Sequence, residues 1–286
     1  MDWSKAKSVL IIIFLILNIF LLINICLLIP DNEFSRDAAA SVESILMGKG
    51  VTLKCNIPKK SGYGATISYE EGSSFDKSAI ITKLIGNNGK IPLQIKLSEP
   101  LTSGNKSLVF KTENCFLYTD SDPNDNIDLS NTGKANKYVS AFIDKLKLSS
   151  NSGYEHYRTN KNSDGSITLI YMDKYEGYLL FGNYIEIVLT NKGIKSFEYR
   201  FKKVNEPLEK DDKRIMLAYQ VLLKNISSIE NSTVTSIDLG FNAGDPAQDM
   251  KGSWENIIWR IGIEGKGYKY FNAVTGAEVG IVESRG

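Results

Sequence analysis

Histidine and cysteine are scarce in this chain. His156 is the single histidine, and the three cysteines are Cys26, Cys55 and Cys115. Zinc sites draw several ligands from these two residue types, and the chain cannot supply such a set. A Ser-His-Asp triad would have to use His156, yet no G-x-S-x-G nucleophile elbow occurs. The run Tyr154-Glu155-His156-Tyr157-Arg158 has the character of a strand, and His156 is expected to be an ordinary strand residue. No two cysteines form a C-x-x-C pair, so there is no disulfide framework to read from spacing. Cys55 and Cys115 could pair only if they met in space, and two buried free thiols are the plainer expectation.

An excess of one charge sign is missing too. Lys and Arg number 34 against 33 Asp and Glu, a net charge of +1. A nucleic-acid surface needs a basic excess, so no nucleic-acid partner is expected. No G-x-x-x-x-G-K-[ST] phosphate loop is present, and Gly262–Gly267 falls between two strand patterns, where it serves as a hairpin turn. The neighbours Glu70-Glu71 and Asp211-Asp212 point apart on any regular element, so neither makes an acid/base dyad. Asp120, Asp122, Asn124, Asn126 and Asp128 alternate like calcium-loop ligands. However, Asp125 stands where that loop needs glycine and Asn131 where it needs glutamate. A solvated linker is expected there. No catalytic residue, cofactor or metal ligand is predicted.

A long apolar run is what the chain does have. Ser8–Ile29 carries no charge, and at ~1.5 Å per residue it extends roughly 33 Å, enough for a hydrocarbon core of about 30 Å. It lacks the polar face of a soluble helix. Lys5 and Lys7 precede it, and Asp31 and Glu33 follow Pro30, so the N-terminus is expected in the cytoplasm and the remainder outside. A cleaved signal peptide has an apolar region of only ~7–15 residues, and Ala38-Ala39-Ala40 lies well past this span, which favours an uncleaved anchor. Within the span, Asn18 and Asn24 are polar. An amide in hydrocarbon gains roughly 0.6–2 kcal/mol by bonding another helix. Asn18 is therefore either a contact with a partner's helix or merely tolerated, and Asn24 sits nearer the outer interface. Trp3 suits the interface belt, as a plain anchor or as a partner contact.

Beyond the span, periodicity predicts helices at Arg36–Met47, Phe75–Ile85, Ala135–Leu148 and Lys210–Ile226. Strands are predicted at Val51–Ile57, Ala65–Tyr69, Leu93–Leu97, Lys106–Lys111, Cys115–Tyr118, Gly153–Thr159, Ser166–Tyr175, Tyr184–Thr190, Ile194–Lys202, Thr233–Phe241, Trp254–Ile263 and Gly267–Phe271. Asn191-Lys192-Gly193 makes a hairpin turn. The fold class expected is α+β: an N-terminal transmembrane helix, then an extracytoplasmic region of two related subdomains with helices packed on antiparallel sheets. The segments are a cytoplasmic tail 1–7, a span 8–29, a first subdomain 30–120, a linker 121–133 and a second subdomain 134–286.

The opening Asp2-Trp3-Ser4, with Phe14–Leu22 behind it, resembles the start of the YycI family. So do Trp259-Arg260-Ile261 and the run Tyr270-Phe271-Asn272-Ala273-Val274-Thr275-Gly276. The resemblance is specific at the two ends and follows only element order between them. It implies a single-pass membrane protein of low-GC Gram-positive bacteria. With its relative YycH, such a protein acts on the YycG (WalK) sensor histidine kinase of the two-component system that governs cell-wall metabolism. It implies contacts through the transmembrane helix and the outer region, no enzymatic activity, and a fold similar to YycH domains and PepSY modules. Asn272, Thr275 and Gly276 are sound turn residues, so closing a hairpin competes with partner contact as their role. An anchored extracytoplasmic ligand sensor or envelope enzyme is the alternative function.

Overall fold

The structure is a computed structural model that describes residues 36–70, 72, 75–86, 94–242 and 255–280, together with 7, 13, 14 and 17–19. The predicted span 8–29 lies mostly outside the described residues, as do Asp2, Trp3, Ser4, Asn24 and Cys26. Among the described residues, no helix is long and apolar enough to cross a membrane. The chain divides into two units, Met1–Ile45 and Leu46–Gly286.

The second unit is α+β and rich in sheet. Helix α1 (Arg36–Gly48) runs into it. It is followed by β1 (Thr52–Leu53), β2 (Tyr63–Tyr69), α2 (Lys77–Leu84), β3 (Pro100–Ser103), β4 (Lys106–Thr112) and β5 (Cys115–Asp120). Then come α3 (Thr132–Leu146), β6 (Tyr154–Lys161), β7 (Ile167–Tyr175), β8 (Tyr178–Thr190), β9 (Gly193–Arg200) and β10 (Val204–Arg214). The chain continues through α4 (Ala218–Lys224), α5 (Ile226–Ile229), β11 (Thr233–Phe241), β12 (Glu255–Ile263), β13 (Gly267–Asn272) and β14 (Glu278–Val279). The strands form one sheet in the order β10-β2-β12-β11-β8-β9-β5-β4-β3; β7 and β6 branch from β8, β13 and β14 from β12, and β1 from β11.

The main core lies under α2 and α3. Helix α2 starts where the Asp76 carboxylate accepts from the Ser78 and Ala79 amides, at 2.9 and 3.2 Å. Its Ile80, Ile81 and Leu84 pack with Ala135, Val139 and Leu146 of α3. These meet the inward-facing residues of β4, β5, β7, β8 and β9, including Phe110, Phe116, Ile187 and Phe197. Phe75, predicted as the first residue of the helix, instead lies before it, with its ring 5.3 Å from Phe116 and 5.6 Å from Tyr199. Burying each such ring contributes roughly 1.5–3 kcal/mol, more than one added helical residue could.

Two expectations are corrected. The helix predicted from Lys210 does not start there, because Lys210–Arg214 belongs to β10, paired antiparallel with β2. The charged run Glu209–Lys213 has no apolar face to bury, and the helix begins only after Leu217, where the Gln220 side chain accepts from the Leu217 amide. The strand predicted at Leu93–Leu97 is not one in its described part. Leu97-Ser98 forms a turn, with Ser98 at φ 63°. Strands before and after the stretch 121–133 pair with one another. β5 pairs with β9 from Cys115↔Arg200 to Thr119↔Ser196, and β2 pairs with β10 and β12. The early strands are thus laid between the late ones.

One irregularity shapes the sheet. Met172 pairs with Tyr184 but Asp173 with Leu180, so Phe181, Gly182 and Asn183 bulge out of β8. Asn183 replaces the lost rungs. Its Oδ1 accepts from the Lys202 amide at 2.9 Å and its Nδ2 donates to the Lys202 carbonyl at 2.8 Å. Fully buried Asp173 completes the plug by accepting from the amide and side chain of Asn151. Ahead of the bulge, Leu179 and Leu180 leave β9 and run parallel to Gly240 and Phe241 of β11.

Candidate functional site: the Arg260 cage and the C-terminal hairpin

The two C-terminal motif segments are neighbours on β12 and β13. Trp259 lies opposite Phe271, and Arg260 opposite Tyr270. Successive strand residues face opposite sides, so each pair occupies its own face. Trp259 and Phe271 are fully buried, and the Trp259 indole N–H donates to the Met216 carbonyl at 2.9 Å. At the end of β13 the Asn272 side-chain oxygen accepts from the Val274 and Thr275 amides, an Asx turn. Gly276 takes φ 67°, and a Cβ there would lie 2.7 Å from the Met216 sulfur. The turn is tied to α4, because the Lys224 ammonium donates to the Thr275 carbonyl and the Asn225 side-chain Nδ2 donates to the Gly276 carbonyl. Asn272, Thr275 and Gly276 therefore close a hairpin and fasten it to a helix.

On the other face sits Arg260, with 3% of its side chain exposed. Its guanidinium lies 4.0 Å from the centre of the Phe181 ring, 4.5 Å from that of Tyr268 and 5.1 Å from that of Tyr157. Nη2 donates to Asp238 Oδ2 at 3.2 Å, and the Tyr157 hydroxyl donates to the same oxygen. Among the described residues Nε has no hydrogen-bond partner. Burial alone would weaken the guanidinium's hold on its proton. The oxygens of Tyr157, Asp238 and Tyr268 outweigh that and raise its pKa above the usual arginine value. Met172, Phe181, Ile258 and Tyr270 pack around it as a second small core. The cage thus joins β6, the β8 bulge, β11, β12 and β13.

The other sequence-derived candidates stand apart from it. Asn18 lies in a described helical stretch, and its side-chain amide donates to the Phe14 carbonyl at 2.9 Å, one turn back. His156 is exposed and meets Thr159 Oγ1 at 2.8 Å. The carboxylates of the supposed calcium loop are engaged separately: Asp120 with Tyr118, Asp125 with Tyr138 and Asp128 with Ser130. No group of three or more metal-ligating residues occurs among the described residues. Cys55 and Cys115 are both free thiols. Burial, with Asp238 nearby, raises the Cys55 pKa to about 11; burial and Glu198 raise that of Cys115 to about 12.

Sequence reasoning missed Asp238, Tyr157, Phe181 and Tyr268. A signal existed for the first. Asp238 is the lone charge in the apolar strand pattern Thr233–Phe241 and Arg260 the lone charge in the apolar run Ile257–Ile263, and they prove to be direct cross-strand partners.

A wide sheet, motif residues engaged in packing and one caged ion pair define a sheet-rich α+β protein. The chain belongs to the YycI family, whose model, described as YycI protein, matches residues 30–274. Among solved structures, YycH from Bacillus subtilis is similar, with 15% identity and a TM-score of 0.48. The match covers 73% of this chain and 52% of that one, so the chain spans about half the length of that relative. No curated protein matches the chain.

Proposed function

We propose that this protein is a membrane-anchored regulator of the YycG/WalK sensor histidine kinase, without catalysis of its own. In this reading it works beside a YycH-like protein in the two-component system controlling cell-wall metabolism. The observation that carries the reading is membership of the YycI family, matched over residues 30–274. The apolar run Ser8–Ile29 supplies a single-pass anchor in the cell membrane, with the N-terminus cytoplasmic and the later residues outside. Trp3, Asn18 and Asn24 are the contact candidates on that segment. A kinase is a two-state device, and a regulator need only bind one state better. A preference of ~1.4 kcal/mol changes the state ratio tenfold.

The test is co-purification from membranes with the organism's sensor kinases, using the native helix and a polyleucine replacement lacking Asn18 and Asn24. Capture of YycG/WalK that vanishes with the replacement supports a contact made in the membrane. Capture that survives it moves the contact to the outer region. Failure to capture the kinase in either form overturns the reading.

A further inference from the structure

The segment after β5 and two hairpin turns meet at one end of the sheet and border an open cleft of about 430 Å³. Its walls are the segment after β5, the β6–β7 turn and the β8–β9 turn. The backbone fixes them. The Asp125 amide donates to the Lys192 carbonyl at 2.7 Å, and the Ile127 amide to the Asn191 carbonyl at 2.8 Å. These bonds lay the segment after β5 across the β8–β9 turn. Within the turns, the Lys192 amide donates to Thr190 Oγ1, and the Ser166 amide and hydroxyl both donate to Asp164 Oδ1. Gly193 lies so close that an added Cβ would stand 3.2 Å from the Asp125 carboxylate. The walls of the cleft are therefore fixed by two main-chain bonds between segments and by side-chain bonds within the turns.

Its charges are arranged differently from its walls. The ammonium of Lys192 stands 3.6 Å from Asp122, and that of Lys195 stands 3.7 Å from Asp164. Both separations exceed hydrogen-bonding length. Each pair also joins two different segments: Lys192 of the β8–β9 turn faces the segment after β5, and Lys195 of β9 faces the β6–β7 turn. A lone anion drawn to the lysines would also stand near the two aspartates. A lone cation would meet the reverse. A ligand bearing one ammonium and one carboxylate can replace the loose contacts with tighter charge-assisted ones. Ser121 and Asn191 offer polar groups to an amide, and Pro123 and Leu129 give a small apolar wall.

We propose that this cleft binds a small zwitterion of the amino-acid or short-peptide class. The site uses neither the Arg260 cage nor the anchor, so it stands independently of the kinase reading.

The test is equilibrium dialysis of the full chain in a non-ionic detergent, with radiolabelled alanyl-alanine as the probe. Unlabelled competitors are alanyl-alanine, its N-acetyl form, its C-terminal amide and inorganic phosphate. The expected result is a Kd on the order of 1 mM or tighter. Competition should weaken at least about tenfold when either end is blocked. Lys192→Ala and Asp122→Asn should each weaken binding at least about tenfold, with the unfolding midpoint unchanged. The proposal is overturned by no retention at about 10 mM probe, by equal competition from the blocked dipeptides, or by phosphate competing as well as the free dipeptide. The blocked competitors decide the matter on the unmodified protein even where a variant folds poorly. Because kinase capture is read in a different assay, failure here leaves that reading untouched.

Discussion

Arg260 and Asp238 face each other across β11 and β12 with side chains 3% and 15% exposed, so little water reaches either charge. The pair itself adds little net stability once desolvation is counted, but removing one member strands the other in a place already dry. Arg260→Ala is therefore expected to destabilise the fold by about 3–5 kcal/mol, measured by urea unfolding. The joint replacement Arg260→Met with Asp238→Leu should lose much less than the sum of the single changes. A single-variant loss below about 1 kcal/mol would show that water reaches the pair after all. The two thiols give a second expectation at this scale. Both have pKa values raised by burial, Cys55 to about 11 and Cys115 to about 12, from an ordinary value of 9. Only the thiolate is nucleophilic, so alkylation of the folded chain should be slow at pH 8 and quicken toward pH 11 at Cys55 first. The same shifts favour the folded state while the thiols stay protonated, below pH 9. Above that, the unfolded chain gives up its thiol protons first, and stability falls as pH rises toward 11 and 12. Urea midpoints that did not drop across this window would contradict the burial of both groups.

Gly240 shows how one element depends on another's backbone. A Cβ there would lie 2.1 Å from the Leu179 carbonyl oxygen, closer than any relaxed contact. The obstacle is main chain, which cannot swing aside as a side chain would. Gly240→Ala should therefore part the short parallel pairing of β8 with β11 and destabilise the fold by about 1–3 kcal/mol. Hydrogen exchange would check it, with amides near Leu179–Phe181 and Gly240–Phe241 losing protection before those of β9. Strands with alternating patterns were legible in the sequence. Thr233–Phe241 was found with its exact limits, and β4, β7, β9 and β13 within a few residues. Elements made by tertiary pairing were not. β10 carries Glu209–Lys213, charges with no period, and is a strand only because β2 offers it a partner edge. The first residues of β8 were missed for the same reason: they pair with β11, far along the chain, and are set apart from the rest of the strand by the bulge.

The order of strands across the molecule decides which pieces of it can exist alone. A division near residues 121–133 looks natural in the sequence because that stretch is polar and rich in turn residues, and such stretches usually join domains. Here the stretch crosses the surface while strands on its two sides interleave. β5 lies against β9, and β2 sits between β10 and β12. Local pattern could not reveal this, since the partners are separated by long stretches of chain and nothing within either strand names the other. Cutting at residue 134 would leave β9 paired on one side only, with β8, and open the core at Phe197 and Tyr199, which lie fully buried in one cluster with Phe116 and Phe110. It would also strip β2 from β10 and β12, and leave β10 with no ladder at all among the described residues. Exposing several aromatic side chains at roughly 1.5–3 kcal/mol each is comparable with the whole 5–15 kcal/mol that holds a typical domain together. A fragment of residues 134–286 is therefore expected to be unfolded or aggregated, with poor amide dispersion by NMR and no cooperative thermal transition. A fragment beginning at residue 46, which keeps β1 to β5, is expected to fold with a single transition. A dispersed spectrum and a sharp transition from the shorter fragment would show that its strands need no partner from the first half, and would support a division at 121–133.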